Sequence, residues 1–136
     1  MNILVIDGQG GMLGSGLVKE IMANFPSASI TAIGTNAVAT ASMLKAGAKV
    51  GATGENPVIV GARKADVIVG PIGIVIADAL LGEITPKMAA AVGSADATRI
   101  LIPMNKCENM VAGVNNAPTS ELIADVISKL KQIIAR

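Results

Sequence analysis

The chain has 136 residues, of which 51% are hydrophobic, 15% are charged and 1% are aromatic, and its net charge is +1. This length is typical of one domain, and the composition is far from that of a disordered chain. The absence of a long basic run and of stacking aromatic side chains argues against nucleic acid as a partner. Cys107 is the one cysteine in the sequence, so no internal disulfide can form, and we expect a reducing, cytoplasmic compartment.

The apolar segments are too short to predict a membrane protein. The longest, residues 67–77, falls well short of the ~20 residues that span a bilayer, and the N-terminus is typical of a strand rather than of a signal peptide. A high apolar content in a small domain has two explanations. It indicates either a buried interface in a homo-oligomer, which we expect, or a well-filled α/β core.

The hydrophobic pattern alternates between strands and helices. A short apolar segment predicts a strand that is covered on both faces, and apolar residues three or four positions apart predict a helix. The predicted strands are residues 2–6, 29–33, 49–52, 66–70 and 98–103, with a possible sixth strand at 110–114. The predicted helices are residues 11–24, 37–46, 58–64, 74–81, 85–93 and 118–135. The sixth strand would be antiparallel and at the edge, because the connection before it is too short for a parallel crossover.

This alternation predicts an α/β protein with a three-layer, Rossmann-like fold, a mainly parallel sheet and a C-terminal helix. Right-handed crossovers and a change of direction after the third strand give the strand order 3-2-1-4-5. In such sheets, ligands bind at the carboxyl ends of the strands, where the order reverses. Here that point lies between strands 1 and 4, and it brings residues 7–11 and 70–73 together, with 103–107 nearby.

A glycine-rich turn follows the first strand. Gly8, Gly10 and Gly14 have the spacing G-x-G-x-x-x-G, which is one residue longer than the usual dinucleotide fingerprint. Glycine lets a ligand approach the backbone, and the free N–H groups at the start of a helix suit a phosphate. We therefore predict that a phosphate-bearing small molecule binds this turn. The alternative is that the glycines only allow a tight turn and close packing of the helix. The predicted binding residues of the turn are Asp7, Gly8, Gln9, Gly10 and Gly11.

Two features differ from a typical dinucleotide site. Dinucleotide-binding proteins place an acidic residue after the second strand to hold the ribose, whereas this chain has Thr35 and Asn36 there and no carboxylate from residue 21 to residue 54. We predict that the turn of Thr35 and Asn36 holds the sugar or base side of the ligand. These side chains could bond a ribose or a 2′-phosphate, but no arginine is near to clamp that phosphate. The second feature is Asp7, whose charge at the mouth of the turn would repel a phosphate. Three roles are open to Asp7: it caps the N–H groups of the loop, it binds magnesium, or it acts as a base. We favour capping.

A second glycine-bearing turn, Gly70, Pro71, Ile72 and Gly73, is predicted to form the opposite wall of the site; the alternative is an ordinary strand exit. Asn105 and Cys107 follow the fifth strand and are predicted to lie at the same edge. Cys107 as a nucleophile would need Lys106 or a helix terminus to lower its pKa, because the chain has no histidine. The alternative is that Cys107 acts as a small hydrophobic residue.

Three other acidic or polar residues receive structural explanations. Asp78 falls within the predicted helix 74–81, on its exposed face or buried with a partner. Glu83 and Thr85 begin the next helix, and capping accounts for both. With one cysteine and no histidine, no metal site is predicted.

Several segments together resemble a small bacterial family of uncharacterised Rossmann-like proteins, known as a domain of unknown function. They are IDGQGG at 6–11, GTN at 34–36, GATGEN at 51–56, GPIGIVIAD at 70–78, LGEITPKMA at 81–89 and ILIPMNKC at 100–107. The resemblance covers most of the chain. It implies a Rossmann-like domain that stands alone, and it implies no activity and no catalytic residue.

These observations leave three hypotheses. The first is a stand-alone domain that binds a nucleotide, either NAD(P) or a mononucleotide, or another phosphate-bearing ligand. The second is a nucleotide-dependent oxidoreductase whose active site is completed at a subunit interface, since this length holds only the cofactor half of a typical dehydrogenase. The third is a non-catalytic interaction or regulatory subunit.

Overall fold

The computed structural model of the protein describes residues 1–104 and 109–135. The strands are β1 (Asn2–Asp7), β2 (Ser29–Gly34), β3 (Val50–Thr53), β4 (Val67–Pro71) and β5 (Thr98–Ile102). The helices are α1 (Met12–Asn24), α2 (Ala37–Lys45), α3 (Glu55–Lys64), α4 (Pro86–Gly93) and α5 (Thr119–Ile134). None of the helices within these ranges is long and apolar enough to cross a bilayer.

The five strands form one parallel sheet in the order β3-β2-β1-β4-β5. This is the predicted order, and the predicted Rossmann-like fold is confirmed. β1 lies at the centre, where Ile3 pairs with Ile30 on one side and with Val67 on the other. Because all five strands run in the same direction, the turns after β1, β2 and β4 meet at one edge of the sheet.

Two apolar cores lie on opposite faces of the sheet. Successive residues of a strand point to opposite faces, so Val5 packs in one core and Leu4 in the other. The first core contains α1, α2 and α5, with Leu17, Met43 and Leu130 among its buried side chains; the second contains α3, α4 and the segment after β4. Burial on both faces explains why β1 is almost entirely apolar.

The helix predicted over residues 74–81 is wrong. A short 3₁₀ turn, Ile72–Val75, follows β4, and the chain then forms an irregular loop. Asp78, Leu80 and Leu81 have positive φ angles of 65°, 57° and 56°. The Asp78 N–H donates to the Ile84 carbonyl at 2.7 Å, which closes the loop. The Ile-Val-Ile run disfavours a helix, and the apolar residues of the segment are buried at scattered positions instead.

The sixth strand predicted at 110–114 is also wrong. These residues form a turn, in which the Val114 N–H donates to the Val111 carbonyl and Gly113 has a φ of 79°. A left-handed residue interrupts the extended backbone that a strand needs. Met110 and Val114 are exposed, so their apolar character does not reflect burial against the sheet.

The remaining boundaries differ little from the predictions. The largest change is at α3, which begins at Glu55 rather than at residue 58. Pro57 lies in its first turn, where a missing N–H costs no helical hydrogen bond. The helix start predicted at Thr85 is confirmed, because the Thr85 hydroxyl accepts a hydrogen bond from the Met88 N–H at 3.2 Å.

Candidate functional site

The glycine-rich turn after β1 is compact. The Gly11 N–H donates to the Gly8 carbonyl at 2.9 Å, and Gly11 has a φ of 74°. A Cβ on Gly11 would lie 2.7 Å from the Ala39 Cα, and one on Gly8 would lie 2.6 Å from the Thr35 hydroxyl oxygen. Packing and backbone geometry therefore account for these two glycines.

Gly10 is different, because neither packing nor backbone geometry requires a glycine there. Its φ is outside the left-handed range, and a Cβ at this position would meet nothing closer than the Met12 Cγ at 4.0 Å. Gly10 is exposed. Within the described part of the chain, the N–H groups of Gly10, Met12 and Leu13 have no hydrogen-bond partner. The start of α1 thus presents free donors beside an uncrowded backbone.

Asp7 lies beneath the turn rather than at its mouth. Its carboxylate is buried, with Oδ1 accepting from the Gly8 N–H at 2.8 Å and Oδ2 accepting from the Gly14 N–H at 2.7 Å. This arrangement agrees with the capping interpretation. Burial raises the pKa of Asp7 and the nearby charge of Glu83 raises it further, although the hydrogen bonds from Gly14 and Gly8 oppose the shift.

Glu83 connects the turn after β1 to the turn after β2. Its Oε1 atom accepts hydrogen bonds from the Gln9 N–H at 2.9 Å, the Thr35 hydroxyl at 2.5 Å and the Asn36 amide nitrogen at 2.8 Å. Thr35 and Asn36 directly follow β2, and Asn36 also caps α2 through its Oδ1 atom, 2.9 Å from the Ala39 nitrogen. The carboxylate that the sequence lacks after β2 is therefore supplied by the loop after β4.

The two carboxylate oxygens of Glu83 have different environments. All three hydrogen bonds go to Oε1, and none goes to Oε2 from any residue that the structure describes. No buried side-chain oxygen or nitrogen in the described ranges lacks a partner, so Oε2 is open to solvent. Partial burial opposes ionisation, but the hydrogen bonds from Thr35, Gln9 and Asn36 outweigh it and lower the pKa of Glu83 below its usual value.

Sequence reasoning assigned Glu83 to helix capping and so missed this role. The cap of α4 is Thr85, not Glu83. Glu83 and Thr35 are 48 positions apart in the chain, so no local pattern joins them. The signal available in the sequence was the absence of an acidic residue after the second strand in a fold that normally has one there.

Leu80 fills the space between the two glycine-bearing turns. Its Cδ1 atom lies 2.9 Å from the position of a Cβ on Gly8, its Cδ2 atom lies 3.7 Å from that of a Cβ on Gly73, and Leu80 is 2% exposed. The crevice between β1 and β4 is therefore occupied by the protein's own side chain. Gly70 packs against β1, since a Cβ there would lie 2.4 Å from the Ile6 carbonyl oxygen.

The structure thus groups the predicted site residues unevenly. Asp7, Gly8, Gln9, Gly10, Gly11, Thr35 and Asn36 lie together around Glu83. Gly70, Pro71, Ile72 and Gly73 form the end of β4 and the start of the 3₁₀ turn, with Leu80 between Gly73 and the first turn. The predictions for Asn105 and Cys107 lie outside the described residues. No group of three acidic, histidine or cysteine side chains that could hold a metal occurs in ranges 1–104 and 109–135.

Three exposed apolar side chains are close in sequence to residues of this polar centre. Met12 is 80% exposed, Val38 is 64% exposed and Leu81 is 93% exposed. They lie within three residues of Gln9, Asn36 and Glu83 respectively. No ion pair involving Glu83 or Asp7 is present in the described part of the chain, so the centre is acidic without a neutralising cation.

Fold and site together define a Rossmann-like α/β domain whose carboxyl edge is organised by a carboxylate from the loop after β4. No curated protein matches the chain. The family model described as Domain of unknown function (DUF3842) matches residues 2–135. The chain therefore belongs to this family, in agreement with the resemblance noted in the sequence. The family description states no activity, so any role has to be argued from the site.

Proposed function

We propose that the protein binds a nucleoside monophosphate, or a ligand with the same sugar–phosphate group, along the β1–β2 half of the carboxyl edge. The observation that carries this proposal is the position of Glu83, a carboxylate held at the end of β2 beside a glycine turn. Rossmann-like domains hold a ribose with a carboxylate at that place and a phosphate at the adjacent helix start.

The start of α1 supports binding of the phosphate. The N–H groups of Gly10, Met12 and Leu13 are unpaired within the described ranges, and a helix N-terminus carries roughly half a positive charge. Gly10 leaves the approach to them open. Asp7 opposes a phosphate less than its sequence position suggests, because its carboxylate is buried and both of its oxygens accept hydrogen bonds from backbone N–H groups.

The filled crevice favours a mononucleotide over a dinucleotide. A dinucleotide lies across the point where the strand order reverses, which is between β1 and β4 in this sheet. Leu80 occupies that space, so the second half of NAD(P) would have to displace a buried side chain. The oxidoreductase hypothesis has less support for the same reason.

A thermal-shift panel tests the proposal. AMP, GMP, CMP, UMP, NAD and inorganic phosphate are each added to the full chain. A ligand present at about 100 times its dissociation constant adds about 2.7 kcal/mol, or several degrees for a domain of this size. We expect stabilisation by at least one nucleoside monophosphate and a smaller effect of NAD. No stabilisation by any of the monophosphates would contradict the proposal.

Gly10→Val locates the ligand, because the new side chain would cover the start of α1 without a steric clash in the protein. We expect it to abolish the shift. Gly93→Val is the matched control: Gly93 is exposed at the end of α4, and a Cβ there would have no neighbour within 4 Å. Equal shifts in both variants would mean that the ligand binds elsewhere.

The exposed apolar side chains favour a second candidate function, a non-catalytic interaction domain that pairs with another copy of itself. Met12, Val38 and Leu81 present large apolar groups at one edge, and such groups are typical of protein interfaces. Sedimentation velocity at several concentrations tests this proposal. We expect a dimer that Leu81→Ser weakens and that Ile134→Ser, an exposed position on α5, leaves unchanged; a monomer at all concentrations would contradict it.

A further inference from the structure

We infer that Glu83 makes the proposed site selective for a ribonucleotide with a free 2′-hydroxyl, and that it disfavours both 2′-deoxy and 2′-phosphorylated forms. This inference rests on the proposed nucleotide binding and adds to it the residue that decides which sugar is accepted.

The argument begins with the orientation of the carboxylate. Three donors on two different turns, the Gln9 N–H, the Thr35 hydroxyl and the Asn36 amide, all bond Oε1. These bonds fix the position of Oε1 before any ligand arrives. Oε2 is then the free acceptor, open to solvent and located at the end of β2.

The second step is the chemistry that a free carboxylate oxygen selects. An ionised carboxylate accepts hydrogen bonds and donates none, so it matches a sugar hydroxyl. A 2′-deoxy sugar leaves this acceptor without a ligand donor. A 2′-phosphate brings a second negative charge to Glu83, and no described lysine or arginine pairs with this carboxylate to offset it.

Thr35 and Asn36 already use their donor groups within the protein. The Asn36 amide nitrogen donates to Glu83 Oε1 and, at 3.0 Å, to the Gln9 carbonyl, and the Thr35 hydroxyl donates to Glu83. Thr35 and Asn36, whose turn is predicted from the sequence to hold the sugar or base side of the ligand, therefore act as positioning residues that hold Glu83. This changes their expected role without removing them from the site.

Calorimetric titration of the full chain tests the inference. AMP, GMP, CMP and UMP are titrated first, and each that binds is compared with its 2′-deoxy and 2′-phosphorylated counterparts. Losing one charge-assisted hydrogen bond weakens binding roughly 10- to 100-fold, so we expect at least a tenfold preference for the 2′-hydroxyl form over the deoxy form. The 2′-phosphorylated form should bind more weakly still.

Glu83→Gln tests whether the charge of Glu83, rather than its hydrogen bonds to the two turns, selects the sugar. The three donors around Oε1 favour the amide oxygen at that place, so the amide nitrogen takes the place of Oε2 and the turns stay joined. We expect the variant to lose most of the preference against the 2′-phosphate, because the negative charge is replaced by a donor. Glu20→Gln is the matched control: Glu20 is exposed in the third turn of α1, away from the first turn of that helix, and its replacement should leave the sugar preference unchanged.

The outcomes distinguish the two proposals. A ribose preference in the wild type, with a preference against the 2′-phosphate that falls in Glu83→Gln and persists in Glu20→Gln, supports the inference. Equal binding of ribose and deoxyribose forms overturns it while leaving the proposed nucleotide binding intact. Failure of all four monophosphates to bind overturns the proposed function, and this inference with it.

Discussion

The exposed residue Leu81 provides a direct test of the loop after β4. Its φ is 56°, and its side chain is 93% exposed. A left-handed backbone costs a residue with a Cβ about 1–2 kcal/mol, whereas glycine adopts it freely. Glycine also has more freedom in the unfolded chain, which offsets roughly 0.5–1 kcal/mol of the gain. Almost no packing within one copy of the chain is lost, so Leu81→Gly should increase the free energy of unfolding of the monomer by about 0.5–1 kcal/mol.

Urea denaturation measures this change, because small proteins have slopes of about 1–3 kcal/mol/M and the midpoint should rise by a few tenths of a molar. Leu81→Ala is the control: it removes the same exposed side chain and keeps the Cβ, so we expect a change close to zero. A destabilising glycine, or an alanine that stabilises as much as glycine, would refute the left-handed conformation at this position. Few exposed leucines are expected to gain stability on replacement by glycine.

Three further predictions concern the same edge. Leu80→Ala should lower the free energy of unfolding by about 2–5 kcal/mol in urea, and a loss below about 1 kcal/mol would contradict its role as a packed core residue. Gly11→Ala should cost about 2 kcal/mol or more, because its φ is 74° and a backbone atom lies 2.7 Å from the new Cβ, whereas Gly10→Ala should stay within about 0.5 kcal/mol; similar costs would contradict the geometry of the turn. Stability measured from about pH 3 to 7 should show opposite trends for the two carboxylates. Burial raises the pKa of Asp7, so the stability that Asp7 contributes is fully present below its usual pKa and falls as the pH rises through its native pKa. Asp7→Asn should remove that decline in stability. The pKa of Glu83 is lowered because hydrogen bonds outweigh its partial burial, so its contribution is present above its usual pKa and is lost as the pH falls through the native value. Glu83→Gln should remove that loss, and differences from the wild type that do not vary with pH would contradict both shifts.

The sheet could be predicted because its determinants are local. Most strands contain a short apolar run, such as residues 3–6, that is followed by a glycine, a proline or a polar residue. The alternation of strands and helices then limits the topology to a few arrangements, since crossovers are right-handed and parallel strands need long connections. The same local signals located the turn after β1.

The loop after β4 could not be predicted in the same way. Its sequence, residues 74–82, is almost continuously apolar, and such a run does not distinguish a buried helix from an irregular segment. The conformation follows from tertiary packing: Leu80 is buried between two glycine turns, and its backbone adopts a left-handed angle that leucine alone would avoid.

The sequence predicts a ligand site at the carboxyl edge of the sheet, but it does not predict that Glu83 joins the residues there. The sequence indicates Gln9, Thr35 and Asn36 as site residues because each lies just after a predicted strand. Glu83 joins them only after the chain has folded, since it comes from a different crossover. Spacing rules for nucleotide sites expect a carboxylate directly after the second strand, whereas Glu83 lies in the loop after the fourth strand.

The central position of β1 has a consequence for how the protein is made. β1 is synthesised before both strands that pair with it, β2 from Ser29 onward and β4 from Val67 onward. One edge of an almost entirely apolar strand therefore stays unpaired until the chain has been synthesised past Pro71. Unpaired apolar strand edges associate with other chains. We expect nascent chains that stall between β3 and β4 to be the species most in need of a chaperone, and the completed sheet to be free of that risk at β1.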